Sequence, residues 1–227
     1  MGPTGERASE TIVIFDFDHT LVSMDSGSAL VMRLIFRSPL RVVVAVLLLP
    51  LAGPLLLWRR TRLAAISTFL WVATAGAGRS EFDRQTRAFA DAVVLDAPNA
   101  QVLESVLGAF RAHVAAGHRV VVVSGSFEAL VTSIVRRLTV APVQVVGSSI
   151  TSFCGGTIGK RHCHGTEKIA MLLAAGVPDR PWQYGYSDSA FDIPLLRRCE
   201  QRYLVNPSAR TLARYKREFG SDFELMR

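Results

Sequence analysis

Three short apolar runs that each stop in small or acidic residues constrain this chain more than any other feature. Thr11–Phe15 runs into Asp16-Phe17-Asp18. Arg119–Val123 runs into Ser124-Gly125-Ser126, and Trp182–Tyr186 into Ser187-Asp188-Ser189 with Asp192 beyond. Continuous apolar runs of this length suit strands buried on both faces of a parallel sheet. Helical spacing covers 81–96, 99–116, Phe127–Leu138 and Thr166–Ala175, with Gly117 and Gly176 as stops. "PVQVVGSSI" reads as another strand, "FCGGTIGKR" as a hairpin with glycine turns, and "RYLVN" as the last strand. Strands alternating with helices predict an α/β fold, a doubly wound parallel sheet of Rossmann-like type. Ligands bind such sheets beyond the carboxyl ends of the strands, so the three polar clusters are expected to share one crevice. No internal repeat and no glycine-rich nucleotide fingerprint accompanies them.

Asp16 and Asp18 are two residues apart and face the same side of an extended stretch. Carboxylates that close repel unless a proton or a cation lies between them. One reading is catalysis or metal binding, since Mg²⁺ takes one or two carboxylates. The other is helix capping, a common duty of Asp after a strand. Read alone, Ser124 suits a helix cap, Lys168 a solvated lysine, and Asp188 with Asp192 a polar helix start. His162, Cys163 and His164 suggest zinc only superficially. Neighbours in a strand alternate faces, and no second ligand pair follows at zinc spacing.

The positive charge is concentrated in one segment. Between Ser26 and Ser80 lie Arg33, Arg37, Arg41, Arg59, Arg60, Arg62 and Arg79, with no Asp, Glu or Lys. Removing those seven from 26 basic residues leaves 19, equal to the 19 acidic ones. The same segment holds "RVVVAVLLLPLAGPLLLWRR", uncharged from Val42 to Trp58. A straight helix of that length spans about 25 Å, short of a hydrocarbon core of roughly 30 Å. Pro50, Gly53 and Pro54 are expected to break it into two arms, Val42–Leu49 and Leu51–Trp58. Arginines at both ends place both on the cytoplasmic side. A weaker run, Leu63–Ala77, carries Trp71 as a candidate interfacial anchor. A membrane-dipping hairpin, a buried helix pair and a full span are the alternatives. Few aromatics accompany the arginines and no nucleic-acid motif appears, so no nucleic-acid partner is expected. Three scattered cysteines suit reduced thiols in a cytosolic compartment. The first apolar run is too short for a secretory signal, residues 1–10 read as loose, and nothing fixes an oligomeric state.

"FDFDHTL", "VVVSGS", "HGTEK" and "YSDSAFD" together resemble the four motifs of haloacid dehalogenase superfamily phosphatases, in order, in the style of the phosphoserine-phosphatase-like branch. The arginine-flanked insert resembles the cap of the phosphatidylglycerophosphatase C family. The resemblance implies a catalytic core of 11–22 and 97–227 and an inserted, mainly helical, apolar cap at 23–96, with 42–58 at the membrane. It implies Asp16 as nucleophile and Asp18 as general acid and base. Ser124, Gly125 and Lys168 would hold the phosphoryl group. Asp16, Asp188 and the Asp18 carbonyl would hold Mg²⁺, with Asp192, Thr20 and Asp25 in support. His19 stands where glycine is common. Phe191 stands where phosphoserine enzymes carry asparagine, and Asp25 where they place an acid that meets the substrate amine. The implied function is removal of the terminal phosphate of phosphatidylglycerophosphate at the cytoplasmic face of a bacterial inner membrane. The implied partners are an anionic phospholipid substrate and the membrane surface. A phosphatase of a small soluble ester and a non-catalytic membrane-anchored binding module remain as alternatives.

Overall fold

The computed structural model of the chain describes residues 10–58, 61–95 and 101–227. The expected loose residues 1–9, Arg59, Arg60 and the cap–core boundary at 96–97 lie outside these. The elements are β1 (Ile12–Asp16), α1 (Ser26–Phe36), α2 (Pro39–Ala52), α3 (Arg62–Thr74), α4 (Arg79–Leu95) and α5 (Glu104–Ala115). They continue with β2 (Arg119–Phe127), α6 (Glu128–Leu138), β3 (Gln144–Phe153), β4 (Gly156–Arg161), α7 (Thr166–Ala174) and β5 (Trp182–Ser187). The last four are α8 (Ile193–Leu196), β6 (Cys199–Val205), α9 (Ala209–Phe219) and β7 (Glu224–Met226).

The sheet runs β4-β3-β2-β1-β5-β6-β7, parallel throughout except for the β3–β4 hairpin. Its central strands are buried on both faces, as the apolar runs require. In β1, Val13 and Phe15 join one core with Val120 and Val122, beneath α1, α4, α5 and α6. Ile12 and Ile14 join the other with Val121 and Val123, beneath α7, α8 and α9. The chain leaves β1 toward β2 and β3, then returns on its other side through β5, β6 and β7. β1 is therefore the switch point, where such sheets open a crevice. β7, pairing in parallel with β6, lies beyond the expected last strand. Three residues are too few to carry a periodic signal. α5 starts at Glu104, later than the expected 99.

Across the cap the expectations need correction. α2 continues through Pro50 to Ala52, and the break comes at Gly53-Pro54. Proline forfeits one i→i−4 bond, and in a last turn little helix remains to be lost. The second arm is only a 3₁₀ turn, Pro54–Leu57. α2 is not a buried helix. Val42 and Ala45 pack inward, while Leu40, Val43, Leu47 and Leu51 form an exposed stripe at helical spacing. α3, the weaker apolar run, is the packed one: Leu70, Val72 and Ala73 are buried. Trp71 is no free interfacial anchor. Its indole Nε1 donates to the Phe153 and Cys154 carbonyls at 3.1 and 3.3 Å, fastening the cap to the hairpin. That hairpin turns on Cys154 and Gly155, both at positive φ, the backbone of a type I′ turn. Among the described residues no helix is long and apolar enough to cross a membrane.

Helix α6, which follows β2 directly, lies hard against β3 at Gly147. A Cβ there would meet the Glu128 backbone, at 2.6 Å from Cα and 2.8 Å from N. Backbone cannot turn aside as a side chain can, so Gly147→Ala should cost about 1–3 kcal/mol. The measurement is denaturant unfolding, with the midpoint lowered and the slope unchanged; an unmoved midpoint would contradict the close contact.

Candidate active site

Register brings the three polar clusters together. Asp16 of β1 is level with Val123 of β2, so Ser124 comes next. Phe15 is level with Tyr186 of β5, which sets Ser187 beside Asp16 and Asp188 one residue beyond. The register of β2 with β3 shifts between Val123 and Phe127, and Ser124–Ser126 occupy that irregular stretch of β2. His19 takes φ 58°, the left-handed region that explains why glycine is common here. Its Nδ1 lies 3.1 Å from the Ser23 carbonyl.

Lys168, in the first turn of α7, reaches the centre of the crevice. Its Nζ donates to Asp16 Oδ1 at 2.8 Å and to Asp192 Oδ2 at 2.7 Å, and all three side chains are buried. Ser187 Oγ adds a hydrogen bond to Asp192 Oδ2 at 2.8 Å. Burial works against the Lys168 charge, but Asp16 and Asp192 outweigh it and hold the pKa above that of an ordinary lysine. Asp16 is in the opposite position. Burial pushes its carboxyl well above the usual range, Lys168 opposes this, and Asp192 and Asp188 add to it. Asp188 is likewise raised, by burial and then by Asp192, against His19 and Lys168.

Three carboxylates thus face one ammonium, and the cluster is short of positive charge. Asp192 Oδ1 is buried with no hydrogen-bond partner among the described residues. No three His, Cys, Asp or Glu side chains among those residues form a ready cage for a metal. Mg²⁺ does not need one, because it keeps several waters and takes only one or two carboxylates. The donor set, Asp16 and Asp188 with an uncompensated carboxylate oxygen close by, fits such an ion.

Asp18 faces the same crevice from the next turn. Its Oδ2 accepts from Ser124 Oγ at 2.8 Å. Its Oδ1 accepts from the Ser26 amide at 2.7 Å and from Ser26 Oγ at 2.6 Å. The resemblance assigned the Ser124 hydroxyl to a phosphoryl oxygen; in this state it is given to Asp18. Thr20 Oγ1 accepts from the Asp188 amide at 3.1 Å and lies 3.4 Å from its Oδ1. Gly125 lies against the segment between β4 and α7: a Cβ would make ordinary contact with the Cys163 carbonyl at 3.6 Å and with His162 Cε1 at 3.7 Å.

Asp25 stands at the start of α1, where its charge acts on His162. It is exposed and caps α1, accepting from the Ser28 amide at 2.8 Å. His162 and His164 stack on one face, ring centroids 5.4 Å apart, while Cys163 is buried on the other. That alternation is the one that argued against zinc. Burial, then Arg62 among the nearby charges, lowers the His162 pKa; burial, then His162, brings His164 to about 4. Phe191 is exposed, with its ring 4.8 Å from that of His164. Ser126 belongs to the Ser124-Gly125-Ser126 cluster, whereas Ser26 and Tyr215 stand outside every cluster in the sequence. The Tyr215 hydroxyl donates to the Ser189 carbonyl at 2.9 Å and steadies the Asp188–Asp192 loop from α9. An isolated serine and a tyrosine late in the chain carry no local signal of such duties.

Solved structures share this arrangement of elements. A protein of unknown function from Bordetella pertussis Tohama I superposes with a TM-score of 0.69 at 19% identity, over 96% of this chain and 99% of that one. A phospho-aspartyl intermediate analogue of phosphoserine phosphatase superposes at 0.56 and 14% identity, over 96% and 94%. Cytosolic 5'-nucleotidase IIIB bound to cytidine does so at 0.59 and 15%, over 95% and 79%. Identities this low establish a common fold. The family model for haloacid dehalogenase-like hydrolases matches residues 13–197, a span that takes in Asp16, Asp18, Ser124, Lys168, Asp188 and Asp192. With the fold, the motif order and that match in agreement, the chain belongs to the haloacid dehalogenase-like hydrolase family.

Proposed function

We propose that the chain is a Mg²⁺-dependent phosphomonoester hydrolase that works through an aspartyl-phosphate on Asp16. The observation that carries this reading is the buried Lys168 bridge between Asp16 and Asp192, with Asp18 poised on Ser124. Lys168 fixes the rotation of the Asp16 carboxylate through Oδ1. The carboxylate attacks phosphorus, and the bond from phosphorus to the leaving alcohol breaks as Asp18 gives that oxygen a proton. Water then attacks the aspartyl-phosphate, Asp18 takes its proton, and phosphate leaves as Asp16 is regenerated. Ser124 and Lys168 hold the equatorial oxygens. Mg²⁺, held by Asp16, Asp188 and the Asp18 carbonyl, would supply the charge neutralisation that lets a carboxylate meet a phosphate dianion.

For the substrate we propose a lipid phosphomonoester, phosphatidylglycerophosphate, met at the cytoplasmic face of a bacterial inner membrane. The support is the outer face of the cap. Leu40, Leu47 and Leu51 are each about 70% exposed or more (70%, 68% and 73%), and Phe36, Val46, Leu57 and Trp58 extend the patch. Monomeric proteins rarely expose so many large apolar side chains together without a partner for them. A cavity of about 370 Å³ lies between α1, α3 and α4, lined in part by Arg37, Arg41 and Arg84. Basic residues at an anionic membrane contribute about 1 kcal/mol each. Arg62, which opens α3 at the end away from that cavity, acts electrostatically on His162 and His164 beside the crevice. Phe191 makes the mouth apolar where a phosphoserine site is polar, and one Asp25 oxygen is taken up in capping α1.

Asp16→Asn should abolish turnover while the unfolding transition stays in place, and Asp18→Asn should slow it by about 10²–10⁴-fold. EDTA should remove activity, Mg²⁺ restore it, and Ca²⁺ fail to, because Ca²⁺ takes more oxygens in looser geometry. Normal turnover by folded Asp16→Asn protein, or by metal-free protein, would overturn the mechanism.

The lipid reading has its own test. The double variant Leu47→Glu with Leu51→Glu alters exposed positions, where stability changes little. It should lose vesicle binding and phosphatidylglycerophosphate turnover while hydrolysing p-nitrophenyl phosphate as before. Faster turnover of phosphoserine than of the lipid, or unchanged lipid turnover by the variant, would favour the soluble-ester reading.

A further inference from the structure

The first turn of α1 is closed by groups from the crevice itself. A helix leaves its first amides without intrahelical partners, and here each of the first three is taken by a named group. The Ser26 amide goes to Asp18 Oδ1, the Gly27 amide to Ser126 Oγ at 2.9 Å, and the Ser28 amide to Asp25 Oδ1. Ser26 Oγ also shares a hydrogen bond of 3.0 Å with Ser126 Oγ, and the Ser126 amide donates to Ser124 Oγ at 2.9 Å. Ser26 and Ser124 are fully buried, and Ser126 nearly so. A Cβ at position 27 would stand 2.8 Å from Ser126 Oγ, so a side chain there would displace that hydroxyl.

We propose that Ser26 is a positioning residue for proton transfer by Asp18, with Ser126 holding Ser26 in place; this rests on the acid–base reading of Asp18 given above. Ser26 gives both of its donors to one oxygen, Oδ1. That leaves Oδ2 as the oxygen with capacity to carry the transferred proton. Oδ2 is also the oxygen that faces Ser124, at the strand end where the phosphoryl group is to lie. Ser26 therefore fixes the carboxylate torsion so that the proton-bearing atom points at the reacting bond. In the first half-reaction the phosphorus–oxygen bond of the ester breaks and its oxygen takes the proton from Oδ2. In the second, a proton of the attacking water passes to Oδ2. A free carboxylate could offer either oxygen and several torsions, and a misplacement of about 1 Å can cost about 10²-fold.

A purely structural cap and a positioning residue differ in what they do to substrates with different leaving groups. The value of kcat/KM reports the first half-reaction, in which an alkyl leaving group needs a proton and p-nitrophenolate does not. Ser26→Ala should lower kcat/KM for an alkyl phosphomonoester by about 10–10²-fold, part of the general acid's contribution, and for p-nitrophenyl phosphate by less than about threefold. Asp18→Asn, measured alongside, should show the same selective pattern with a larger loss. Ser26→Thr, which keeps the hydroxyl, should restore most of the alkyl rate. If Ser26→Ala unfolds below the assay temperature, Ser126→Ala tests the same ratio, with a smaller selective loss expected. Equal losses on both substrates, or none, while Asp18→Asn remains selective would overturn the role of Ser26 alone. If Asp18→Asn is itself unselective, the acid–base reading fails and the role of Ser26 with it.

Discussion

One buried ammonium holds this site together. Lys168 has left water entirely, which costs several kcal/mol for an ion of its size. It is kept charged by Asp16 on one side and Asp192 on the other. The contacts join residues far apart in sequence: Asp16 closes the first strand, Lys168 sits in the helix after the hairpin, and Asp192 follows the fifth strand. A single charged group thus ties both halves of the sheet to its central strand at the switch point. It does not balance the charge. With Asp188 beside them the carboxylates outnumber the cation, and Asp16 is pushed toward the protonated form in which it cannot attack. The site therefore needs further positive charge when an anionic phosphate arrives.

Capping and catalysis appear as rivals when Asp16-Phe17-Asp18 is read as sequence, and in the structure Asp18 caps with one oxygen while the other faces the crevice. It caps α1, which starts eight residues later, by accepting from the Ser26 amide, and with its other oxygen it meets Ser124. The first element of the cap is thereby docked on the same carboxylate that faces the crevice. A capping bond of this kind contributes about 1 kcal/mol. It also makes the position of Asp18 depend on a helix with 11 residues of its own packing.

The central strands and the crevice were legible because their signals are local. A two-sided apolar run reads as a buried strand wherever it occurs, and three of them ending in polar clusters fix where the crevice opens. The hairpin was legible for the same reason, in its glycines. What escaped depends on partners distant in the chain. The three residues of β7 pair only because β6 offers an edge, and Trp71 looks like an interfacial residue until the hairpin carbonyls meet it. Asp25 has the spacing of a substrate-facing acid, and the helix beginning beside it takes one of its oxygens as a cap, a duty its spacing does not announce. Pro50 misled because its cost, one hydrogen bond and a crowded preceding turn, is not enough to end α2. Ser26 carries no motif, and its meaning appears only when the cap and the end of β2, at Ser126, are brought within 3.0 Å.

The central claim is that Asp16 carries the phosphoryl group between the two half-reactions. Acid quenching during steady turnover, followed by peptide mass spectrometry, tests it directly. The account predicts one hydroxylamine-sensitive phosphoryl group on the peptide containing Asp16, absent when Asp16 is asparagine. A phosphoryl group on Ser124 or His162, or turnover with inversion of configuration at an isotopically chiral phosphorus where two displacements require retention, would contradict it.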